Sequence, residues 1–177
     1  MAVLEILVAP DPRLNQKSLP LEAISDEERR LINDMIDTLK KIDGYGLAAP
    51  QVNVHKRIIV IDADEEYNPA QPRESNIRVL INPVILSQSS EFSSRDEACF
   101  SVANYYGPVQ RPQRIRVMYL DEHGTEHILE ASGILARCIQ HEIDHLDGLL
   151  FIDHMSSLRR SVALRKSSKA KRVTAEA

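Results

Sequence analysis

His141 and His145, four residues apart with Glu142 beside the first, are the residues whose types and spacing point most directly to chemistry. On a helix of 3.6 residues per turn, positions four apart lie one above the other on a single face, so two imidazoles can grip one metal ion. Glu142 points to a slightly rotated side, where it can handle a water carried by that ion without displacing it. In that setting H-E-x-x-H fits a hydrolase. Three fixed residues also arise by chance on a solvated helix, so the meaning turns on a third ligand and on the neighbouring stretches.

A catalytic site of the zinc type keeps three protein ligands and one open position. In the zincin pattern a downstream glutamate supplies the third, but the next Glu after Glu142 is Glu176, inside the C-terminal tail. The longer pattern H-E-x-x-H-x-x-G-x-x-H is matched through Gly148 and then ends on Phe151, which cannot coordinate. Cys138 lies ~10.5 Å from His145 along a helix axis, a strained span for bonds of ~2.3 Å to sulfur and ~2.1 Å to nitrogen. It reads as a small core residue or pocket wall. Cys99, between Glu97 and Phe100-Ser101, is the remaining thiol. A Cys-His-His set is chemically sensible, because the thiolate cancels one metal charge and, being soft, accepts Fe(II), Zn or Ni. His55, His123, His127 and His154 stay open as alternatives, each in a polar or turn context where a surface role is the commoner one.

These residues need elements to position them. Ser25 followed by Glu28 makes a capping box, and Leu31, Ile32, Met35, Ile36 and Leu39 repeat behind it at helical spacing, with Lys40 and Lys41 in the last turn. Pro10-Asp11-Pro12-Arg13 predicts a rigid surface turn. The small residues of Gly44-Tyr45-Gly46-Leu47-Ala48-Ala49-Pro50-Gln51 would let a backbone approach something closely, within what otherwise reads as a loop between helix and strand. Arg57 to Asp62 predicts a buried strand, and Val79-Leu80-Ile81 another, ended by Asn82-Pro83. The acidic, proline-containing stretch from Ala63 to Asn76 predicts an exposed loop. Ile115 to Leu120, the turn Asp121-Glu122-His123-Gly124 and Thr125 to Glu130 predict a hairpin, after which Gly133 precedes the histidine helix. The pattern is α+β: short mixed or antiparallel sheets around a central metal-binding helix, with further helices at the N- and C-termini.

At 177 residues the chain suits one domain with a real core. No apolar run approaches the ~20 residues a membrane helix needs. Met-Ala-Val-Leu-Glu lacks the basic region of a signal peptide, and two cysteines argue for a reducing compartment with thiols free to be ligands. From Arg159 onward seven Lys/Arg stand against one acid, Glu176, whereas the preceding body carries 15 bases and 25 acids. This division, residues 1–158 as a catalytic unit and 159–177 as a basic helix or tail, points to an anionic partner for the tail.

Three stretches in this order resemble the peptide deformylase family: Gly44 to Gln51, Glu97-Ala98-Cys99-Phe100-Ser101, and Gln140-His141-Glu142-Ile143-Asp144-His145. The similarity extends from Pro10-Asp11-Pro12-Arg13-Leu14 to about residue 155. The resemblance implies a metal-dependent hydrolase, cytoplasmic or of organellar origin, that removes the formyl group from N-formylmethionyl peptides. Fe(II) would be the native ion, with Zn, Ni or Co as replacements. It implies that Cys99, His141 and His145 bind the metal and that Glu142 is the general base and acid. Gln51 and the backbone N–H of Phe100 would stabilise the oxyanion. Gly46 would pair with the extended substrate, Gly44, Ile134, Cys138 and His141 would line the methionine pocket, and Arg111 would hold Glu97. The basic tail would dock on ribosomal RNA, with no DNA or membrane partner implied.

The second motif of that family usually reads Glu-Gly-Cys-Leu-Ser, and here Ala98 and Phe100 depart from it. Ala103-Asn104 stands where Pro-Gly is usual, and Tyr106 where an arginine is common. The departures fall on substrate affinity rather than on ligands. Two competing expectations are a deformylase-like protein reduced to metal or peptide binding, and a general metallopeptidase.

Overall fold

The computed structural model describes residues 2–66 and 75–175, with side chains through Ala170. Its strands are β1 (Gly46–Ala48), β2 (Ile58–Asp62), β3 (Ile77–Gln88), β4 (Phe92–Cys99), β5 (Val102–Pro112), β6 (Arg114–Leu120) and β7 (Glu126–Ser132). Its α-helices are α1 (Asp26–Lys41), α2 (Gly133–Leu146) and α3 (Ser157–Ala175). The ladders are antiparallel: a five-stranded sheet in the order β1-β2-β3-β6-β7, and a separate β4–β5 hairpin. This is the expected α+β architecture.

Strand β2 shows why the apolar run Ile58-Ile59-Val60-Ile61 has no polar face. Ile59 and Ile61 pack with Leu135, Ile139 and Leu146 of α2, while Ile58 and Val60 pack with Ile32, Met35 and Leu39 of α1. Alternate side chains of a strand leave by opposite faces, so a strand covered on both sides must be apolar throughout. Each such side chain contributes roughly 1.5–3 kcal/mol on burial. Helix α1 starts as its sequence dictates: Ser25 Oγ accepts from the Glu27 N–H at 3.1 Å, and the Glu28 carboxylate accepts from the Ser25 N–H at 2.9 Å.

Helix α2 therefore lies between the five-stranded sheet and the β4–β5 hairpin, and every residue from Cys138 to Glu142 is buried. Its entry is set by Gly133 at φ +57°, where an added Cβ would lie 2.2 Å from the Glu65 carbonyl oxygen. That carbonyl accepts from the Ile134 N–H at 2.9 Å, so only glycine lets the chain turn this tightly onto its cap.

Two expectations are corrected. Asn82-Pro83 does not end β3. Asn82 adopts φ +52°, a shift of register appears between Ile81 and Val84, and the strand continues to Gln88. The Asn82 side chain supports this bulge by accepting from the Leu21 N–H and donating to the Leu21 carbonyl, both at 2.8 Å. The Gly44–Gln51 stretch is also not a plain loop, because Gly46–Ala48 pairs with β2 and Ala49–Val52 forms a 3-10 turn. Of the predicted Ala63–Asn76 loop, residues 67–74 lie outside the described residues. Helix α3 begins at Ser157 and docks through Ala163 and Ser167, so the body and the basic stretch share one helix. Among the described residues no helix is long and apolar enough to cross a membrane.

Candidate metal centre

Four elements deliver the site. Helix α2 carries His141, Glu142 and His145; β4 ends on Cys99; the 3-10 turn after β1 carries Gln51; and β1 brings the Gly46 backbone. The ligand atoms of Cys99, His141 and His145 all lie within 4.8 Å of one another, a spacing that could hold one metal ion. Cys99 Sγ is 3.3 Å from His145 Nε2, and the two imidazole rings meet edge to face with centroids 5.1 Å apart. Among the described residues this is the group of metal-ligating character that the fold assembles.

The residues present fit a divalent ion. The donor set is one soft thiolate and two imidazoles, leaving room for a further ligand. The Glu97 carboxylate accepts from His141 Nδ1–H at 2.9 Å, which directs the other ring nitrogen to the cluster. Burial alone would push the Cys99 thiol up, but the His145 and His141 imidazoles outweigh it and bring it well below its ordinary value. Burial likewise opposes charge on His141, yet Cys99 and Glu97 beside it raise it well above the usual imidazole range. The cysteine is thus poised as thiolate, the form in which it ligates.

Glu142 is 4% exposed, and its Oε2 has no hydrogen-bond partner among the described residues. Burial pushes its carboxyl up to about 7, with His141 and His145 opposing that rise. A group near neutrality, with a free oxygen beside the cluster, can take up and return a proton at working pH. Gln51 is buried beside it: its Oε1 accepts from the Ala48 N–H at 2.8 Å, and its Nε2 reaches Ser101 Oγ at 3.2 Å and Cys99 Sγ at 3.5 Å.

The close approach expected at the glycine-rich stretch is present. A Cβ on Gly46 would stand 2.5 Å from Glu142 Oε1 and 2.9 Å from Cys138 Sγ. Gly44 has the Phe100 ring 3.4 Å from its notional Cβ. Cys138 lies in the core between α2 and the sheet, outside the ligand cluster, and Ile134 packs at the edge of the same core. Phe151, the residue that breaks the longer histidine pattern, stacks on the His141 ring with centroids 6.0 Å apart. His123 is exposed, and His55, His127 and His154 bond to Arg13, Asp121 and Asp144 respectively, so none of the four belongs to the ligand cluster.

Arg111 does hold Glu97, through Nε to Oε1 at 2.6 Å and Nη2 to Oε2 at 2.9 Å. Burial opposes the Glu97 charge, but Arg111 and His141 hold the carboxyl well below the usual range. Two residues not expected from the sequence join this network: Asp144, which accepts from Arg111 Nη1 at 2.9 Å, and Arg137, which donates to Glu97 Oε1 at 2.7 Å. Arg137 stands four residues before His141, one helical turn away on the same face, which was the available signal.

The chain matches the family model for polypeptide deformylase over residues 3–161. It is 48% identical over 172 residues to a peptide deformylase of Rhizorhabdus wittichii, covering 97% of each chain. It is 44% identical over 170 residues to that of Rhizobium meliloti, covering 96% of this chain and 95% of the relative. Among solved structures, the peptide deformylase of Ehrlichia chaffeensis superposes with a TM-score of 0.91 at 41% identity, covering 98% of this chain and 99% of the other. The same organism's peptide deformylase in complex with actinonin gives 0.90 at 43% identity, covering 97% and 99%.

Proposed function

The chain belongs to the polypeptide deformylase family, and we propose that it is a metal-dependent hydrolase releasing formate from the N-terminal formylmethionine of nascent polypeptides. The observation that carries this reading is the meeting of Cys99, His141 and His145 within 4.8 Å, beside the unpartnered oxygen of Glu142. Held by those three residues, a divalent cation supplies Lewis acidity to the formyl carbonyl and to water. Membership of the family favours Fe(II) as the native ion, and the soft thiolate accepts Zn, Ni or Co as replacements.

The protein's own groups do the rest. Glu142 takes a proton from the attacking water as its oxygen bonds to the formyl carbon, then delivers one to the nitrogen as the C–N bond breaks, leaving formate and a free amine. Gln51 Nε2 and the Phe100 N–H donate to the oxygen on which negative charge develops, a contribution often worth ~3 kcal/mol per donor. The Gly46 backbone pairs with the extended peptide, and its missing Cβ leaves Glu142 and the substrate space to meet. Gly44, Ile134, Cys138 and His141 receive the methionine side chain. Glu97, fixed by Arg111, keeps His141 oriented. Residues 1–158 form the catalytic unit of a cytoplasmic enzyme, and the basic stretch 159–177 docks on ribosomal RNA.

Metal-loaded protein prepared without oxygen should release formate from formyl-Met-Ala-Ser and leave acetyl-Met-Ala-Ser intact. Cleavage of an internal peptide bond instead would identify a general metallopeptidase. Zinc binding without any turnover would identify a binding protein.

A further inference from the structure

Glu97 is 6% exposed, and its carboxylate is gripped from two elements. Arg111 on β5 supplies two donors, and α2 supplies His141 Nδ1–H at 2.9 Å and Arg137 Nη1–H at 2.7 Å. Arg137 and His141 are one turn apart on one helix face, so they bind the two carboxylate oxygens side by side, Oε1 and Oε2 respectively. The same guanidinium goes further: Nη1 donates to the Val109 carbonyl at 3.0 Å, and Nη2 to the Ser93 carbonyl at 2.8 Å and Ser93 Oγ at 3.1 Å. One side chain, 12% exposed, therefore joins α2 to both strands of the β4–β5 hairpin.

That junction matters because the hairpin is a sheet of its own. The ladder of β4 is made with β5, and it continues the β3–β6 ladder at the hairpin's open end, where the Ser89 N–H donates to the Arg114 carbonyl and the Gln113 N–H to the Glu91 carbonyl, both at 2.9 Å; the far end of β4, at Cys99, is set against α2 by side chains instead. Cys99 stands at the end of β4, two residues beyond Glu97. Arg111 does not set that distance alone, since it lies on the hairpin itself and reaches α2 directly only through Asp144; Gln140 Nε2 adds a bond to the Pro112 carbonyl at 3.1 Å, and Arg137 is the α2 side chain that bonds both β4 and β5.

We propose that Arg137 is a positioning residue for the metal centre: by bonding Glu97, Ser93 and Val109 together it sets the hairpin against α2, and so holds Cys99 Sγ in register with His141 and His145. The proposal rests on Cys99, His141 and His145 being the metal ligands. A planar guanidinium suits the task, because its fork meets several acceptors at fixed angles, whereas a lysine in its place reaches one acceptor at a time.

The test uses the full chain with Arg137→Met and Arg137→Lys, and Cys99→Ser as a control. Zinc-loaded proteins are mixed with excess chelator and zinc release is timed; cobalt-loaded proteins are scanned for the thiolate-to-cobalt charge-transfer band; kcat and KM are measured on formyl-Met-Ala-Ser. Loss of an outer partner of a metal ligand typically costs 10–100-fold in affinity or activity; Arg137 acts on such a partner, Glu97, so Arg137→Met should release zinc toward the lower end of that range, about 10-fold faster. Its charge-transfer band should shift, and kcat should fall with KM near wild type. Arg137→Lys, which keeps one bond to Glu97, should be intermediate, and it carries the test alone if Arg137→Met does not fold. Zinc release within about twofold of wild type, with an unchanged cobalt spectrum, overturns the proposal even if the melting temperature drops. If Cys99→Ser holds zinc as tightly as wild type, the ligand assignment itself fails, and the proposal with it.

Discussion

Gly46 and Glu142 are in contact across the site: an added Cβ at Gly46 would lie 2.5 Å from Glu142 Oε1 and 2.9 Å from Cys138 Sγ, one turn earlier on the same face of α2. Neither neighbour can retreat freely, since Glu142 and Cys138 are both buried in the α2 core. Gly46→Ala should therefore displace the glutamate while the fold survives. Overpacking of this kind costs ~1–3 kcal/mol, which, taken up in the placement of Glu142, corresponds to a loss of roughly 5- to 150-fold in kcat/KM with an intact circular dichroism spectrum. Wild-type kcat/KM in Gly46→Ala would show that the close contact is not used.

The thiol assignment separates cleanly. Cys99 joins His141 and His145 within 4.8 Å, whereas Cys138 belongs to the apolar cluster. Cys99→Ser should lose bound metal on dialysis, and Cys138→Ser should keep it, as read by elemental analysis. Equal loss from both would refute the choice of thiol.

Glu28 links stability to pH. Its carboxyl is lowered to about 2, first by the bond from Lys56 and then by Ser25, with burial opposing. A carboxylate whose folded value lies below its unfolded value of ~4.3 contributes fully above the unfolded value, and the contribution vanishes as pH falls toward 2. Lys56 is 36% exposed, which places the pair at roughly 0.5–1 kcal/mol. Glu28→Gln should lower the urea midpoint at pH 7, and its difference from wild type should close between about pH 4.5 and pH 2.5. A difference unchanged at pH 3 would mean that the charge is not its source.

Asn82 holds the β3 bulge by its φ of +52° and by two 2.8 Å bonds to the Leu21 backbone. Asn82→Ala loses both bonds and suits the left-handed backbone poorly, and should cost ~1–3 kcal/mol of unfolding free energy. Asn82→Gly relieves the backbone but not the bonds, and should fall between the two. Equal stability of all three would remove Asn82 as the anchor.

Those same residues mark what the sequence made legible. Ser25 and Glu28 announced α1, and His141 with His145 announced the working face of α2, because caps and i,i+4 pairs are local. Ile115 to Glu130 read correctly as a hairpin because its apolar positions alternate around a Gly124 turn. The β4–β5 hairpin did not, because its first strand buries only Glu97 and otherwise presents polar residues such as Ser94, Arg95 and Asp96 to solvent. Continuation of β3 past Asn82-Pro83 was hidden because a bulge and a strand end share the same residues. Arg137 drew no notice, since its partners Ser93, Glu97 and Val109 are 28 to 44 positions away along the chain.

Glu142 is the group that moves protons beside a metal held by other residues. Formate release from formyl-Met-Ala-Ser should therefore be measured for wild type and Glu142→Gln, each with its metal content determined on the same sample. Full metal is expected in both, with rapid formate release by wild type and a rate about 10²- to 10⁴-fold lower in the variant, the usual worth of a general acid–base. Metal-replete wild type that releases no formate, or a metal-replete Glu142→Gln that turns over as fast as wild type, would contradict the proposed function.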